Sequence, residues 1–372
     1  MKILVAPDKF KGSIDALMLC HAIERSLAGI FPESEIVLRP LADGGDGFAS
    51  LMGYYFPVET RTVETLDPLG RSIHASYSLT KDRETAFVEM SVASGLALLQ
   101  PRERNPERTD TRGTGILIRD AIQQGARHVV LGIGGSATND GGMGMAQALG
   151  YRLLDDTGGE LLPSGAFLGA LRRILPPDDD FLSNVRFTVA CDVNNPLHGP
   201  DGAACVFGPQ KGADPAMVVR LDDGLINLDE VFRSAFGRSF AALPGAGAAG
   251  GLGAGAMAFL GAEMRPGFQL MADLIGLEAE IAAADLVITG EGRLDSQSFQ
   301  GKVAGEVLDL AERYGKPVYG LCGIRGFDLT KEQSARFAGI STLSDHAPDA
   351  MASMTQPQLF IQAALHTLFH VD

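Results

Sequence analysis

The sequence contains no tryptophan, only four cysteines and few basic residues for its size. The cysteines are widely scattered and form no CxxC pair, which fits a reducing cytosol better than a disulfide framework. With 31 Lys and Arg against 46 Asp and Glu, the net charge is −15, which disfavours binding to nucleic acid or to an anionic membrane surface. The apolar run near the start is too short for a signal-peptide core, so we expect a cytoplasmic protein.

The common nucleotide-enzyme signatures are also missing. Gly301 and Lys302 do not complete a P-loop, because Ser296 replaces the first glycine of that pattern and Val303 its hydroxyl residue. The sequence has no HRD or DFG tripeptide, which excludes a typical protein kinase. The segment GGSAT differs from the GxSxG spacing of serine hydrolases, so that chemistry is a poor fit.

What the chain does have is length, glycine and a repeated strand and helix pattern. Its 372 residues favour two domains over one. Short β-rich runs alternate with helical patterns at both ends of the chain, which predicts an α/β protein with a parallel sheet, and Ser13 is the predicted N-cap of the first helix. Residues 60–99, with stretches such as TAFVEMSV, alternate in polarity like antiparallel hairpins, so a mixed α/β domain is predicted to be inserted there, with further strands at residues 128–132 and 186–190. We place the first domain at residues 1–60 and 285–372 and the inserted domain at residues 61–284.

Five polar or glycine-rich motifs begin where predicted strands end. At that edge of an α/β sheet, loops and helix N-termini face a common crevice and bind ligands. The motifs are PDKFKGS (residues 7–13), DGGDG (43–47), GIGGSATNDGG (132–142), CDVNNP (191–196) and GEGRLD (290–295).

The third motif is the best candidate for binding phosphate groups. Its consecutive glycines can expose backbone N–H groups, and a helix predicted to begin near Asp140 would add its positive end. The glycines could instead serve only a tight turn. The hydroxyl and amide side chains in the same loop favour binding, and the candidates are Gly134, Gly135, Ser136, Thr138 and Asn139.

Charged residues lie within or beside the same motifs. Phosphoryl transfer needs carboxylates, both to hold Mg²⁺ and to accept the proton of the acceptor hydroxyl. The acidic candidates are Asp8, Asp43, Asp192, Glu291 and Asp295, although any of them could instead cap a helix. The basic candidates for holding phosphate and carboxylate groups are Lys9, Lys11, Lys211, Arg293 and Lys302, although each could be a solvated surface residue.

Along nearly its whole length, the chain resembles the bacterial glycerate kinases. The resemblance rests on APDKFKGS, PLADGGDG, GIGGSATNDGG, ACDVNNPL followed by GPQKGA, GAAGGLGAG and ITGEGRLDSQS, in that order. One position departs from the family pattern, since Asp46 stands where these proteins usually have Glu. The resemblance implies a Rossmann-like domain made from both chain ends and a larger inserted α/β domain. It also implies an active site in the cleft between them.

The same resemblance implies ATP with Mg²⁺ and glycerate as substrates, with 2-phosphoglycerate the favoured product. We hypothesise that Asp192 accepts the hydroxyl proton, with Asp8 and Asp295 as rival bases or metal ligands. Lys9 is assigned to catalysis beside Asp8, and Lys11, Asp43 and Arg293 to the acceptor. Glu291 and Asp295 are the proposed metal ligands. Another small hydroxy acid or sugar acid as acceptor, or a noncatalytic sensor, stays open as an alternative.

Overall fold

The structure is a computed structural model that describes residues 1–42 and 47–370. For Ser50 it describes the backbone but not the side chain. Contacts divide the chain into two compact units: Met1–Asp43 with Pro266–Asp372, here the first unit, and Gly44–Arg265, the second unit. The boundaries predicted from the sequence fall after residue 60 and before residue 285.

Short strands and mostly short helices alternate through both units. The strands are β1 (Lys2–Val5), β2 (Glu35–Leu38), β3 (Val58–Leu66), β4 (Ser72–Thr80), β5 (Thr85–Glu89), β6 (His128–Gly132), β7 (Arg152–Leu154), β8 (Arg173–Leu175), β9 (Arg186–Ala190), β10 (Glu263–Arg265), β11 (Leu286–Thr289), β12 (Arg293–Leu294), β13 (Val318–Cys322), β14 (Ile324–Arg325) and β15 (Gly339–Thr342). The helices are α1 (Ala16–Ile30), α2 (Phe48–Tyr55), α3 (Ser91–Ser94), α4 (Arg112–Gln123), α5 (Met143–Ala148), α6 (Ala203–Phe207), α7 (Pro215–Phe236), α8 (Ala248–Leu260), α9 (Gly267–Ile275), α10 (Leu277–Ala283), α11 (Val303–Arg313), α12 (Lys331–Ala335), α13 (Ala350–Thr355) and α14 (Ile361–Phe369).

The first unit contains a parallel five-stranded sheet in the order β15-β13-β11-β1-β2. Its central strands are apolar and buried, as expected for strands covered on both faces. Helices α1 and α14 pack on this sheet in one hydrophobic core. Since β1 and β11 are parallel neighbours, the loops that follow them leave the same edge of the sheet. The predicted α/β class with a parallel sheet is confirmed.

Helix α1 corrects one prediction about a helix start. The sequence suggested Ser13 as the N-cap, but the cap is Asp15, whose carboxylate accepts a hydrogen bond from the N–H of Met18 at 2.8 Å. The Ser13 hydroxyl instead donates to the carbonyl of Met354 at 2.6 Å. Both residue types cap helices well, so the sequence alone does not separate them.

The second unit contains a mixed six-stranded sheet in the order β10-β9-β6-β5-β4-β3. Strands β3, β4 and β5 pair antiparallel, which confirms the predicted hairpins, while β5, β6, β9 and β10 pair parallel. Strands β6 and β9 begin and end where the sequence predicted. These two strands are direct neighbours, with Gly132 opposite Ala190, so the third and fourth motifs leave the same sheet edge.

The glycine run in and around α8 allows two backbones to approach closely. Gly250 has φ of +69°, and a Cβ added there would lie 2.0 Å from the carbonyl oxygen of Thr138. A Cβ on Gly255 would lie 2.3 Å from the carbonyl oxygen of Gly141. These glycines therefore pack α8 directly against the third motif. Among the described residues, no helix combines the length and apolar character needed to cross a membrane.

Candidate active site

The loop of residues 134–139 follows β6 and is held through its carbonyl oxygens. Gly135 accepts a hydrogen bond from the N–H of Leu96 at 2.8 Å, and Ala137 accepts one from the Thr109 hydroxyl at 2.9 Å. In a trans peptide, the carbonyl and the following N–H point in opposite directions. The N–H groups of residues 136 and 138 therefore point away from these donors, in the manner of backbone anion sites.

Two side chains at the end of this loop are fully buried without protein partners. Within residues 1–42 and 47–370, neither the hydroxyl of Thr138 nor either polar atom of the Asn139 amide has a hydrogen-bond partner. A buried polar atom left unpaired costs about 1–3 kcal/mol, so native proteins pair nearly all of them. Polar groups of a bound ligand would remove this cost. These atoms belong to Thr138 and Asn139, which are two of the predicted phosphate-binding residues.

Asp140 corrects the predicted role of the next helix. Helix α5 begins at Met143, and its first N–H groups are already occupied, since the Asp140 carboxylate accepts from Gly142 at 3.2 Å and from Gly144 at 3.0 Å. The backbone N–H and hydroxyl of Thr111 also donate to this carboxylate, at 2.8 and 2.7 Å. Burial raises the pKa of Asp140 to about 6. The expectation that this helix end adds to a phosphate site is therefore wrong.

Asp192 lies in the loop that follows β9. Its side chain is exposed, in contrast to the buried Thr138 and Asn139. An exposed carboxylate can reach a substrate that enters from solvent. The parallel pairing of β6 and β9 explains why Asp192 and the 134–139 loop emerge from the same edge of the sheet.

In the first unit, the loops after β1 and β11 are joined directly. The N–H of Asp8 donates to the carbonyl of Gly290 at 2.9 Å. The Asp8 carboxylate in turn accepts from the N–H of Lys9 at 2.7 Å. Gly292 lies close to the same loop, since an added Cβ would come within 3.3 Å of the backbone nitrogen of Lys11. The first and fifth motifs therefore form one cluster.

Residues of the fifth motif, with Lys302 further along the chain, form two ion pairs. The Lys302 ammonium lies 4.0 Å from the Glu291 carboxylate. The Arg293 guanidinium lies 3.1 Å from the Asp295 carboxylate and 5.8 Å from the ring centre of Phe327, whose side chain is 95% exposed. Asp295 also accepts from the N–H of Gln297 at 3.0 Å, which fixes its orientation.

Asp43, which the sequence assigns to the acceptor, and Asp46 lie outside the described residues.

Sequence reasoning overlooked Glu89 at the carboxyl end of β5. Its carboxylate accepts from the N–H groups of Gly47 at 3.1 Å and Ala49 at 2.8 Å, and so holds the start of α2. Helix α2 directly follows the second motif, and Glu89 positions the first residues of that helix. An acidic residue within the alternating stretch TAFVEMSV was the available signal.

The role of Lys211 was also only partly anticipated. The sequence identified it as a cation beside a motif, but its ammonium is buried and donates to the carbonyl of Thr138 at 2.7 Å. Burial lowers the pKa of Lys211 to about 7, and the nearby Asp140 charge opposes that shift. The glycines on both sides of Lys211 in GPQKG were the signal that this position is sterically confined.

The acidic residues can also be considered as ligands of a metal ion. No group of three or more His, Cys, Asp and Glu side chains that could hold a metal ion occurs in the described part of the chain. A magnesium ion that binds with ATP needs only one or two protein carboxylates, because phosphate oxygens and water complete its coordination. The acidic residues at the strand ends are compatible with that kind of site.

Strand-end loops with acidic and basic residues, and a glycine-rich loop whose buried polar atoms have no partner in the described part of the chain, are compatible with an α/β phosphotransferase. The model of the glycerate kinase family matches residues 3–371 of the chain. The glycerate 2-kinase of Escherichia coli (strain K12) is 46% identical over 87% of this chain and 85% of its own length. The glycerate kinase of Bacillus subtilis (strain 168) is 43% identical over 94% and 91%.

A solved structure agrees with these sequence matches. The crystal structure of a glycerate kinase 2 candidate from Salmonella typhimurium LT2 superposes with a TM-score of 0.86 at 42% identity. The match covers 100% of this chain and 98% of that one. The chain belongs to the glycerate kinase family, and it is therefore an enzyme that phosphorylates glycerate with ATP as co-substrate. The resemblance and the enzyme class predicted from the sequence are confirmed.

Proposed function

We propose that this chain transfers the γ-phosphoryl group of ATP to the 2-hydroxyl of D-glycerate, which gives 2-phosphoglycerate. The observation that carries the proposal is that the buried side chains of Thr138 and Asn139, at the end of a loop with oriented peptides, have no partner within residues 1–42 and 47–370. The choice of the 2-isomer is supported by the similarity to the E. coli protein, which is described as a glycerate 2-kinase.

In this proposal, residues of the second unit bind the donor. Gly134, Gly135, Ser136, Thr138 and Asn139 contact the phosphates of ATP through backbone N–H groups and polar side chains. Asp192 accepts the proton of the attacking hydroxyl as the transfer proceeds, because an exposed carboxylate beside the loop can meet the acceptor. Asp8 and Asp295 are the alternative bases. The Asp295 carboxylate is engaged with Arg293 and the N–H of Gln297, and the Asp8 carboxylate accepts from the N–H of Lys9.

Residues of the first unit bind the acceptor. Arg293 can offer N–H donors to the glycerate carboxylate, and its guanidinium also pairs with Asp295 and lies near the ring of Phe327. Lys9 and Lys11 follow β1 and supply further positive charge to a protein whose net charge is −15. Asp43 is assigned to binding of the acceptor, and this assignment rests on the sequence alone.

Magnesium fits this set of residues in part. Glu291 is an oxygen donor at the end of β11 and suits the preference of the ion for carboxylates. Asp295 would have to exchange its pairing with Arg293 for the metal. Mg²⁺ held by Glu291 and Asp295 would neutralise charge that develops on the transferred phosphoryl group. A cytoplasmic location and the absence of nucleic-acid partners complete the proposal.

A coupled ADP-release assay with D-glycerate, L-glycerate and glycerol tests the proposal. We expect turnover with D-glycerate, weak turnover with L-glycerate and little with glycerol, because glycerol lacks the carboxylate that Arg293 and the lysines would bind. NMR of the product should show the phosphate on carbon 2. Equal turnover of glycerol, or a phosphate on carbon 3, would contradict the corresponding part of the proposal.

A further inference from the structure

Lys211 occupies an unusual position for a lysine. Its side chain is 1% exposed, and its ammonium donates to a neutral carbonyl, that of Thr138, at 2.7 Å. A buried ammonium normally requires a carboxylate partner to offset its lost hydration. The nearest charge that acts on it, Asp140, is already held by four donors from Thr111, Gly142 and Gly144.

The backbone around Lys211 leaves the side chain little freedom. Residues Pro209–Lys211 form one 3₁₀ turn, and the N–H of Lys211 donates to the carbonyl of Gly208 at 3.0 Å. Gly212 follows with φ of +94°, and a Cβ there would lie 2.4 Å from the carbonyl oxygen of Arg104. The chain is therefore fixed on both sides of Lys211, and the ammonium is directed at Thr138.

The hydrogen bond from Lys211 determines how the peptide between Thr138 and Asn139 is oriented. Because its carbonyl faces the ammonium, the N–H of Asn139 faces the other way, as the N–H groups of residues 136 and 138 do from their own held carbonyls. Next to this peptide lie the hydroxyl of Thr138 and the amide of Asn139, which have no partners in the described residues. The peptide N–H and these side chains thus lie side by side and can contact the same ligand.

We propose that Lys211 is a positioning residue for the phosphates of ATP. It fixes the Thr138–Asn139 peptide so that its N–H faces the bound phosphates, and it places a positive charge behind the loop of an acidic protein. The proposal rests on the proposed function, in which the 134–139 loop binds ATP. A methionine would fill the same volume without burying a charge, so a purely structural role does not explain a lysine here.

The test is the Lys211→Met variant, which keeps the chain length and removes the charge and the donors. We expect the Kd of ATP, measured by titration calorimetry without glycerate, to rise roughly 10- to 100-fold, since a charge-assisted contact is lost. The KM for D-glycerate should change by less than about twofold, because the acceptor residues lie elsewhere in the chain. Phe232→Leu, in the buried aromatic cluster around α7, is the control for lost stability. It should lower Tm without raising the Kd of ATP.

The outcomes separate this proposal from the function on which it rests. If Asn139→Ala weakens ATP binding but Lys211→Met only lowers Tm, the role of Lys211 is structural. The proposal is then overturned, while the assignment of the loop to ATP stands. If neither variant weakens ATP binding, the assignment of the loop itself fails. Should Lys211→Met not fold, Lys211→Leu decides, because it also removes both the charge and the N–H donors. A Kd for ATP equal to that of the unmodified protein would then contradict the proposal.

Discussion

The backbone N–H of Asp8 donates a hydrogen bond to the carbonyl oxygen of Gly290 at 2.9 Å. These residues are far apart in the sequence, but they follow β1 and β11, which pair in parallel with Val5 opposite Ile288. The bond ties the first and fifth motifs together at one sheet edge. Charged residues that the sequence presents as separate candidates therefore belong to one local structure, and their roles can be tested against each other.

Changing Asp192 to Asn should reduce kcat by roughly 10²- to 10⁴-fold, because the amide cannot accept the hydroxyl proton. The side chain is exposed, so Tm should stay within a few degrees of the unmodified protein. Steady-state kinetics and a thermal melt check both expectations. Asp201→Asn, at another exposed aspartate further along the same segment, is the control and should retain full activity. Near-normal turnover of Asp192→Asn would transfer the role of base to Asp8 or Asp295.

Changing Thr138 to Val should separate stability from ATP binding. The hydroxyl is buried without a partner in the described residues, so its removal should leave the free energy of unfolding unchanged or raise it by up to about 1–3 kcal/mol in the absence of ATP. The affinity for ATP should fall by about 2- to 10-fold, since one hydrogen bond to phosphate is lost. Urea unfolding and ATP titration measure the two effects. A loss of stability in the ATP-free variant would show that the hydroxyl has an internal structural role.

Changing Arg293 to Met should raise the KM for glycerate by at least about 10-fold and leave the KM for ATP nearly unchanged. The reason is the loss of charged N–H donors to the acceptor carboxylate. Arg336→Met is the control, because Arg336 also pairs with carboxylates, those of Asp309 and Glu312, but on the surface of α11. An unchanged KM for glycerate in the Arg293 variant would remove it from the acceptor site.

Changing Gly250 to Ala should destabilise the second unit by about 3 kcal/mol or more, because the new Cβ would lie 2.0 Å from the carbonyl oxygen of Thr138. Gly237→Ala is a matched control, since Gly237 has a similar φ of +73° but open space around an added Cβ. The control should cost only about 1–2 kcal/mol, from the left-handed backbone alone. Chemical denaturation of both variants checks the difference. Equal costs would mean that the loop shifts to accommodate the methyl group.

The buried Lys211 predicts a pH dependence of stability. Its pKa is about 7 in the folded protein and near 10.5 when unfolded, so the unfolded state binds more protons between these values. Raising the pH from 7 towards 10 should therefore stabilise the folded protein relative to Lys211→Met, by at most about 1.4 kcal/mol per pH unit. Urea unfolding of both proteins at pH 7, 8 and 9 measures this difference. Parallel curves for the two proteins would show that Lys211 stays charged throughout this range.

Much of the fold follows from local patterns in the sequence. The runs HVVLG and RFTVA predict β6 and β9 with correct ends, because β-branched and aromatic residues favour strands that pack into a sheet. Alternation in residues 60–99 predicts antiparallel hairpins, and β3 and β4 form one. Helix starts are less certain, as Asp15 replacing Ser13 as the cap of α1 shows, since both side chains can accept the same hydrogen bond.

The sequence by itself determined the α/β class, the strand-end motifs and the family, because periodicity and motif order are local properties of the chain. Only the tertiary structure decided how individual side chains are used. It placed the Asp140 carboxylate on the helix end expected to bind phosphate and buried Lys211 beneath Thr138. It also left the polar atoms of Thr138 and Asn139 unpaired among the described residues. Burial and hydrogen-bond partners come from segments distant in sequence, so no local pattern specifies them.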